Sequence, residues 1–177
     1  MSQLKDALLK TIQGIQNNPD TAKVVFRAET KLVDGVNCTA KVRDFNEMVI
    51  DEPPLLGGSD KGMNPIELIA AALGTCQEIM YAAYAAVMDI KLDAVTVDVK
   101  GRVDLRGLFG LDESVPAGYS TISYITKISS QEENEKVEQL VQAVESHCPV
   151  LDTLVRPISV SGKVFHNETE LDVDLVY

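Results

Sequence analysis

The sequence predicts an α+β fold, and three features carry that expectation. A long apolar helix over 64–90 has a marked start, an amphipathic helix follows later, and runs of β character flank both. At the head of the long helix Asn64 can cap, Pro65 suits the first helical position, and Glu67 can reach back to complete a capping box. Alanines and large apolar residues then occupy every side of its wheel. The helix is therefore expected to be covered all round, by a sheet or by another chain.

Taken in order, the chain should open with an amphipathic helix over 2–16, with Leu4, Leu8, Ile12 and Ile15 on one stripe and Asn17, Asn18 and Pro19 as its stop. Two β runs, 22–33 and 36–44, meet at Asp34-Gly35, a hairpin signal because glycine tolerates the positive φ of such a turn. A short strand over 47–51 ends at Pro53-Pro54. Residues 52–63, with Gly57, Gly58 and Gly62, lack periodicity and read as a loop.

Beyond the long helix, Val95, Val97 and Val99 alternate with polar neighbours in a strand over 94–105. A loop over 106–118 leads to a strand over 119–129. Ser130 and Glu133 form a second capping-box pattern, and the helix it opens sets Val137, Leu140, Val141, Val144, Cys148 and Leu151 on one inward face. Pro149 cannot comfortably continue that helix but can begin another, so Cys148 is expected at the N-cap of a short helix over 149–155. Strands over 157–165 and 170–177 close the chain as a hairpin through Asn167. With no repeat, low-complexity tract or dividing linker, residues 1–177 read as one domain with 1–18 as a helical extension.

A chain of 177 residues can bury a real core, and 16 Lys and Arg against 27 Asp and Glu give a net charge of -11. That charge repels phosphate backbones and anionic headgroups, which argues against nucleic-acid and membrane-surface binding. The first ten residues lack a signal peptide's apolar core, and the helix from Asn64 carries Asn, Glu, Thr and Gln where a membrane span should be apolar. A cytoplasmic location is expected. The cysteines at 38, 76 and 148 are odd in number and do not make a disulfide scaffold; in a reducing compartment they are packing residues or working thiols.

Cys76 follows Gly74 and Thr75, which leave room beside its sulfur for a ligand or a second backbone, although a cysteine there can equally be a small buried hydrophobe. At an N-cap, Cys148 would meet free amides and the positive end of a helix dipole, which favour a thiolate; this too is compatible with packing. Cys38 shares strand parity with Ala40 and Val42 and reads as packing. The histidines, His147 and His166, come without a CxxC pair or HExxH, so no metal is expected. A cysteine–histidine hydrolase is the other rival. Adjacent helical residues point about 100° apart, so His147 is badly placed for Cys148, with Cys76 left open.

Gly57-Gly58, Asn64-Pro65 with Glu67, the Ala-Ala-Ala-Leu-Gly-Thr-Cys string ending at Cys76, and Cys148-Pro149-Val150 together resemble the OsmC/Ohr family of osmotically inducible and organic-hydroperoxide-resistance proteins. The likeness spans roughly residues 36–164. It implies an intertwined homodimer, two long central helices wrapped by antiparallel sheets, acting as a thiol-dependent peroxidase on small organic hydroperoxides. Neither cofactor nor metal is implied, and a dithiol reductant would recycle the protein. By position, Cys76 would attack the peroxide and Cys148 would resolve the resulting sulfenic acid before over-oxidation.

The family also supplies an arginine held by a glutamate. Glu67 matches the glutamate by its place, although the capping box accounts for it equally. Arg43 is preferred to Arg27 for the arginine, because it falls at a strand end while Arg27 alternates with Glu29 and Lys31. Nine helical positions put Glu67 and Cys76 on opposite faces about 14 Å apart. Either Glu67 only caps, or a second subunit brings its copy to this Cys76. The alternative function is a stress-response or apolar-ligand-binding protein of the same fold without redox chemistry.

Overall fold

The computed structural model describes residues 3–177. Helix α1 (Gln3–Asn17) is followed by the antiparallel sheet β1 (Glu29–Asp34), β2 (Asn37–Lys41) and β3 (Met48–Ile50) in that order. Gly35 makes the β1–β2 turn with φ +55°, as the Asp-Gly pair predicts. The expected first strand is shortened: residues 19–22 form a 3-10 turn and 23–28 run without strand pairing, so β1 begins only at Glu29. β1 is exposed along its whole length.

The loop over 51–63 is tied down by Asp51, which is 2% exposed and accepts from the backbone N–H groups of Glu52, Ser59 and Lys61 at 2.9, 3.1 and 3.2 Å. Burial pushes its carboxyl pKa up. The three donors and the nearby Lys61 ammonium more than offset this, so the net shift is downward. Glu52 then accepts from the Asn64 side-chain amide at 3.3 Å, which docks the loop on the head of α2 (Pro65–Val87).

The α2 capping box forms as expected. The Glu67 N–H donates to Asn64 Oδ1 at 2.8 Å and the Asn64 N–H to Glu67 Oε2 at 2.9 Å. Within one chain α2 buries a single face, Leu73, Gln77, Tyr81 and Ala85 at i, i+4 spacing, with Gly74 beside it. All-round burial is not reached, and Ala72, Thr75, Ile79 and Ala82 form an exposed stripe.

The antiparallel pair β4 (Ala94–Val103) and β5 (Tyr119–Ser129) covers α2, in register from Ala94 opposite Ser129 to Arg102 opposite Thr121. Gly74 permits the approach: a Cβ there would sit 3.3 Å from Val99 Cγ2 and 3.6 Å from the Val97 carbonyl. The space beside Cys76 is thus partly taken by β4, and Glu78 accepts the Val97 N–H at 3.1 Å. Between the strands, Asp104 caps the one-turn helix α3 (Leu105–Leu108).

Helix α4 (Asn134–His147) starts later than the second capping box predicts. The Ser130 hydroxyl donates to the Lys91 carbonyl at 2.6 Å and accepts the Glu132 N–H at 3.2 Å, so it is spent outside the helix. Leu140 and Val144 of α4 pack with Tyr81, Ala85 and Ile90 as the core, joined at its margin by Met80, Tyr84, Met88 and Ile128. Helix α5 (Pro149–Val155) follows with Cys148 at its N-cap. At the end, β6 (Phe165–His166) and β7 (Thr169–Glu170) pair through Asn167 and Glu168, both at positive φ, and Ser161 bridges Val176. The expected closing strands shrink to this hairpin.

Candidate active site

Two helices deliver the thiols. Cys76 lies midway along α2, one position before fully buried Gln77, at the border between the covered face and the exposed stripe. Cys148 continues the Leu140–Val144 row of α4 and is 1% exposed. Pro149 ends α4 there: Cys148 turns to an extended backbone with ψ 112° and the chain restarts as α5.

The Cys148 thiol donates to the Cys76 sulfur, with Sγ to Sγ 3.5 Å. Both are free thiols at that separation, and a disulfide bond requires about 2.05 Å. Burial pushes the Cys148 thiol pKa up, and the hydrogen bond and charge of Cys76 push the same way. The Leu151 and Val150 N–H groups pull against them without winning. Cys148 therefore stays a protonated donor beside a more accessible partner.

The other expected site residues lie elsewhere within one chain. Glu67 is engaged in the α2 capping box. Arg43, at φ +48°, lays its guanidinium 4.5 Å from the centre of the Phe45 ring, and Arg27 pairs with Glu29 at 2.5 Å. Both arginines line an open cavity of about 330 Å³ beside β1 and β2, together with Val25, Phe26 and Lys41. Among the described residues Arg106 and Arg156 are paired with Asp104 and Asp152, and no guanidinium pairs with either sulfur. His147 donates its Nδ1–H to the Ala143 carbonyl at 2.8 Å and sets its ring against Tyr84, tilted by 35° with centroids 5.5 Å apart.

Sequence reasoning missed a polar group behind the sulfurs. Gln77 Nε2 and Tyr124 Oη both donate to the Glu145 carboxylate, at 3.3 and 2.5 Å. Only the adjacency of Gln77 to Cys76, and the spacing of Glu145 three positions before Cys148, could have signalled it. Beside it lies a cavity of about 280 Å³ lined by Leu73, Tyr119, Tyr124, Leu151 and Leu154 among others.

A thiol pair joined across two helices and backed by an antiparallel strand pair is the arrangement against which known proteins compare. Solved structures share the fold. An OsmC-like protein from Mycoplasma pneumoniae superposes with a TM-score of 0.64 at 18% identity, over 75% of this chain and 88% of that one. An organic hydroperoxide resistance protein from Legionella pneumophila gives 0.57 at 23% identity, over 75% and 92%. In sequence, a protein from Mycoplasma genitalium named hydroperoxide reductase is 28% identical over 116 residues, 64% of this chain and 75% of that one. Residues 58–163, which run from the glycine loop through both thiols, match the family model described as OsmC-like protein. With that match extending over more than half its length, the chain belongs to the OsmC-like protein family.

Proposed function

We propose that the protein is a thiol-dependent peroxidase that reduces organic hydroperoxides through Cys76 and Cys148. The observation that carries this reading is the 3.5 Å contact between a partly exposed sulfur and a buried one. Cys76 as thiolate attacks the distal oxygen of ROOH. The O–O bond breaks, ROH leaves after taking a proton, and Cys76 becomes a sulfenic acid. The Cys148 sulfur then attacks the Cys76 sulfur; the S–O bond breaks, the hydroxyl leaves as water with the Cys148 proton, and a disulfide remains. A dithiol reductant returns two electrons and two protons. The name of the Mycoplasma genitalium relative supports the reaction class.

The apolar lining of the cavity at Leu73, Leu151 and Leu154 suits an alkyl or aryl substituent on the peroxide. We also propose a homodimer of one-domain subunits in the cytoplasm, where the thiols would be kept reduced. Val25 and Phe26 are 93% and 90% exposed, and Ile79 on α2 is 67% exposed; a second copy would cover surface of this kind. In that assembly Arg43 of one subunit, with Glu67, would supply the cation that the thiolate lacks in its own chain.

Stopped-flow mixing of the reduced protein with cumene hydroperoxide tests the reaction. Rapid oxidation, lost in Cys76→Ser, supports it. Oxidation no faster than that of free cysteine, with apolar-ligand affinity intact in Cys76→Ser, would favour the binding-protein alternative instead.

A further inference from the structure

We propose that Gln77, Tyr124 and Glu145 act as a polar clamp that positions Cys76 and Cys148 for disulfide closure. The role in turnover rests on the peroxidase reading, but the positioning itself does not. Each sulfur-bearing helix contributes one member. Gln77 follows Cys76 on α2, and Glu145 precedes Cys148 by three positions on α4. Strand β5 contributes Tyr124, and one carboxylate gathers all three elements: Gln77 Nε2 to Glu145 Oε1 at 3.3 Å and Tyr124 Oη to Glu145 Oε2 at 2.5 Å.

Packing alone does not explain this trio. Gln77 is 0% exposed and its Oε1 has no hydrogen-bond partner, and Glu145 sits against two neutral donors with no lysine or arginine paired to it among the described residues. Apolar side chains of similar volume would fill the space at lower cost than a half-buried carboxylate and a fully buried, orphaned amide oxygen. What the polar set adds is direction, because hydrogen bonds fix a geometry that dispersion contacts leave loose. The sulfurs must close from 3.5 Å to about 2.05 Å, and a clamp that prevents the two helices from sliding apart keeps each thiol at high effective concentration for the other.

The test uses the full chain equilibrated in mixtures of reduced and oxidised glutathione. The Cys76–Cys148 disulfide is quantified by alkylation and mass spectrometry, and thermal midpoints are measured in parallel. Here oxidised glutathione takes up the two electrons and two protons released by the thiols, so no peroxide is needed and the result stands apart from the peroxidase reading. Tyr124→Phe and Glu145→Ala are expected to lower the effective concentration of the pair by about ten-fold or more. Glu145→Gln should restore it to within about three-fold, because a carboxamide still accepts from Tyr124 and, with the Gln77 amide turned over, donates to the orphaned Oε1. Should Glu145→Ala not fold, Tyr124→Phe decides alone, since it removes one oxygen and keeps the ring. A purely structural trio would move the thermal midpoint only. Effective concentrations in Tyr124→Phe and Glu145→Ala equal to the native value, or a Glu145→Gln variant as impaired as Glu145→Ala, would overturn the clamp.

Discussion

Cys148 Sγ lies 3.5 Å from Cys76 Sγ across a sequence separation of 72 residues, and the buried sulfur of the pair is the donor. In the proposed reaction this asymmetry would set the order of events: the more accessible Cys76 would react first, and the protonated Cys148 would wait within a small displacement of bonding distance.

Single-turnover kinetics should separate the two roles. Cys76→Ser is expected to slow peroxide consumption by at least about a hundred-fold. Cys148→Ser should consume the first equivalent at close to the native rate and then accumulate a sulfenic acid, trapped by dimedone, that proceeds to sulfinic acid under excess peroxide. Measuring peroxide loss and protein mass together distinguishes the two variants.

The raised Cys148 pKa makes a stability prediction with a definite sign. The folded chain holds that proton to higher pH than the unfolded chain does. Unfolding free energy is therefore undiminished below the ordinary thiol value of 9.0 and falls as pH rises from there through the folded value. Burial also raises the Tyr81 and Tyr124 phenols, so the decline continues above their ordinary value of 10.0. Denaturant titrations of the reduced protein from neutral to alkaline pH should show a steeper early decline in the native chain than in Cys148→Ala.

The loop that docks α2 should tolerate little at Gly58. A Cβ at that position would stand 1.7 Å from the Glu52 carbonyl oxygen and 2.4 Å from its carbon, and a backbone neighbour cannot swing aside. Gly58→Ala is expected to cost about 2 kcal/mol or more in chemical denaturation. It should also release the N–H donors now held by Asp51.

Ile79, 67% exposed on the uncovered side of α2, belongs to the surface that the proposed homodimer would cover. Ile79→Glu should convert a dimer into a monomer in sedimentation-velocity runs. If Arg43 serves the thiolate across that interface, Arg43→Ala should slow the first oxidation step by about ten-fold or more, and Arg27→Ala by less than about three-fold.

Local signals were readable in the sequence where one short stretch holds all the chemistry. Asn64, Pro65 and Glu67 form the predicted cap, Pro149 restarts the helix after Cys148, and the turns at Gly35 and Asn167 fall where their residues require. The Ser130 and Glu133 pattern failed because the serine hydroxyl found a non-local partner, the Lys91 carbonyl, and accepts the Glu132 N–H in place of that of Glu133. The polarity behind the thiols was illegible for a similar reason. Gln77, Tyr124 and Glu145 come from three elements, and only the fold joins them. The all-round apolar character of α2 predicts cover on every side, and the chain covers one face only, because apolar periodicity within a helix does not say what packs against it.

The most direct test is to add one equivalent of cumene hydroperoxide to the reduced protein and map the cysteines by non-reducing digestion and mass spectrometry. The account predicts a cross-linked peptide pair carrying Cys76 and Cys148, lighter by two hydrogens, with Cys38 still free. Thiols at 76 and 148 that stay reduced, or a cross-link that runs through Cys38, would contradict it.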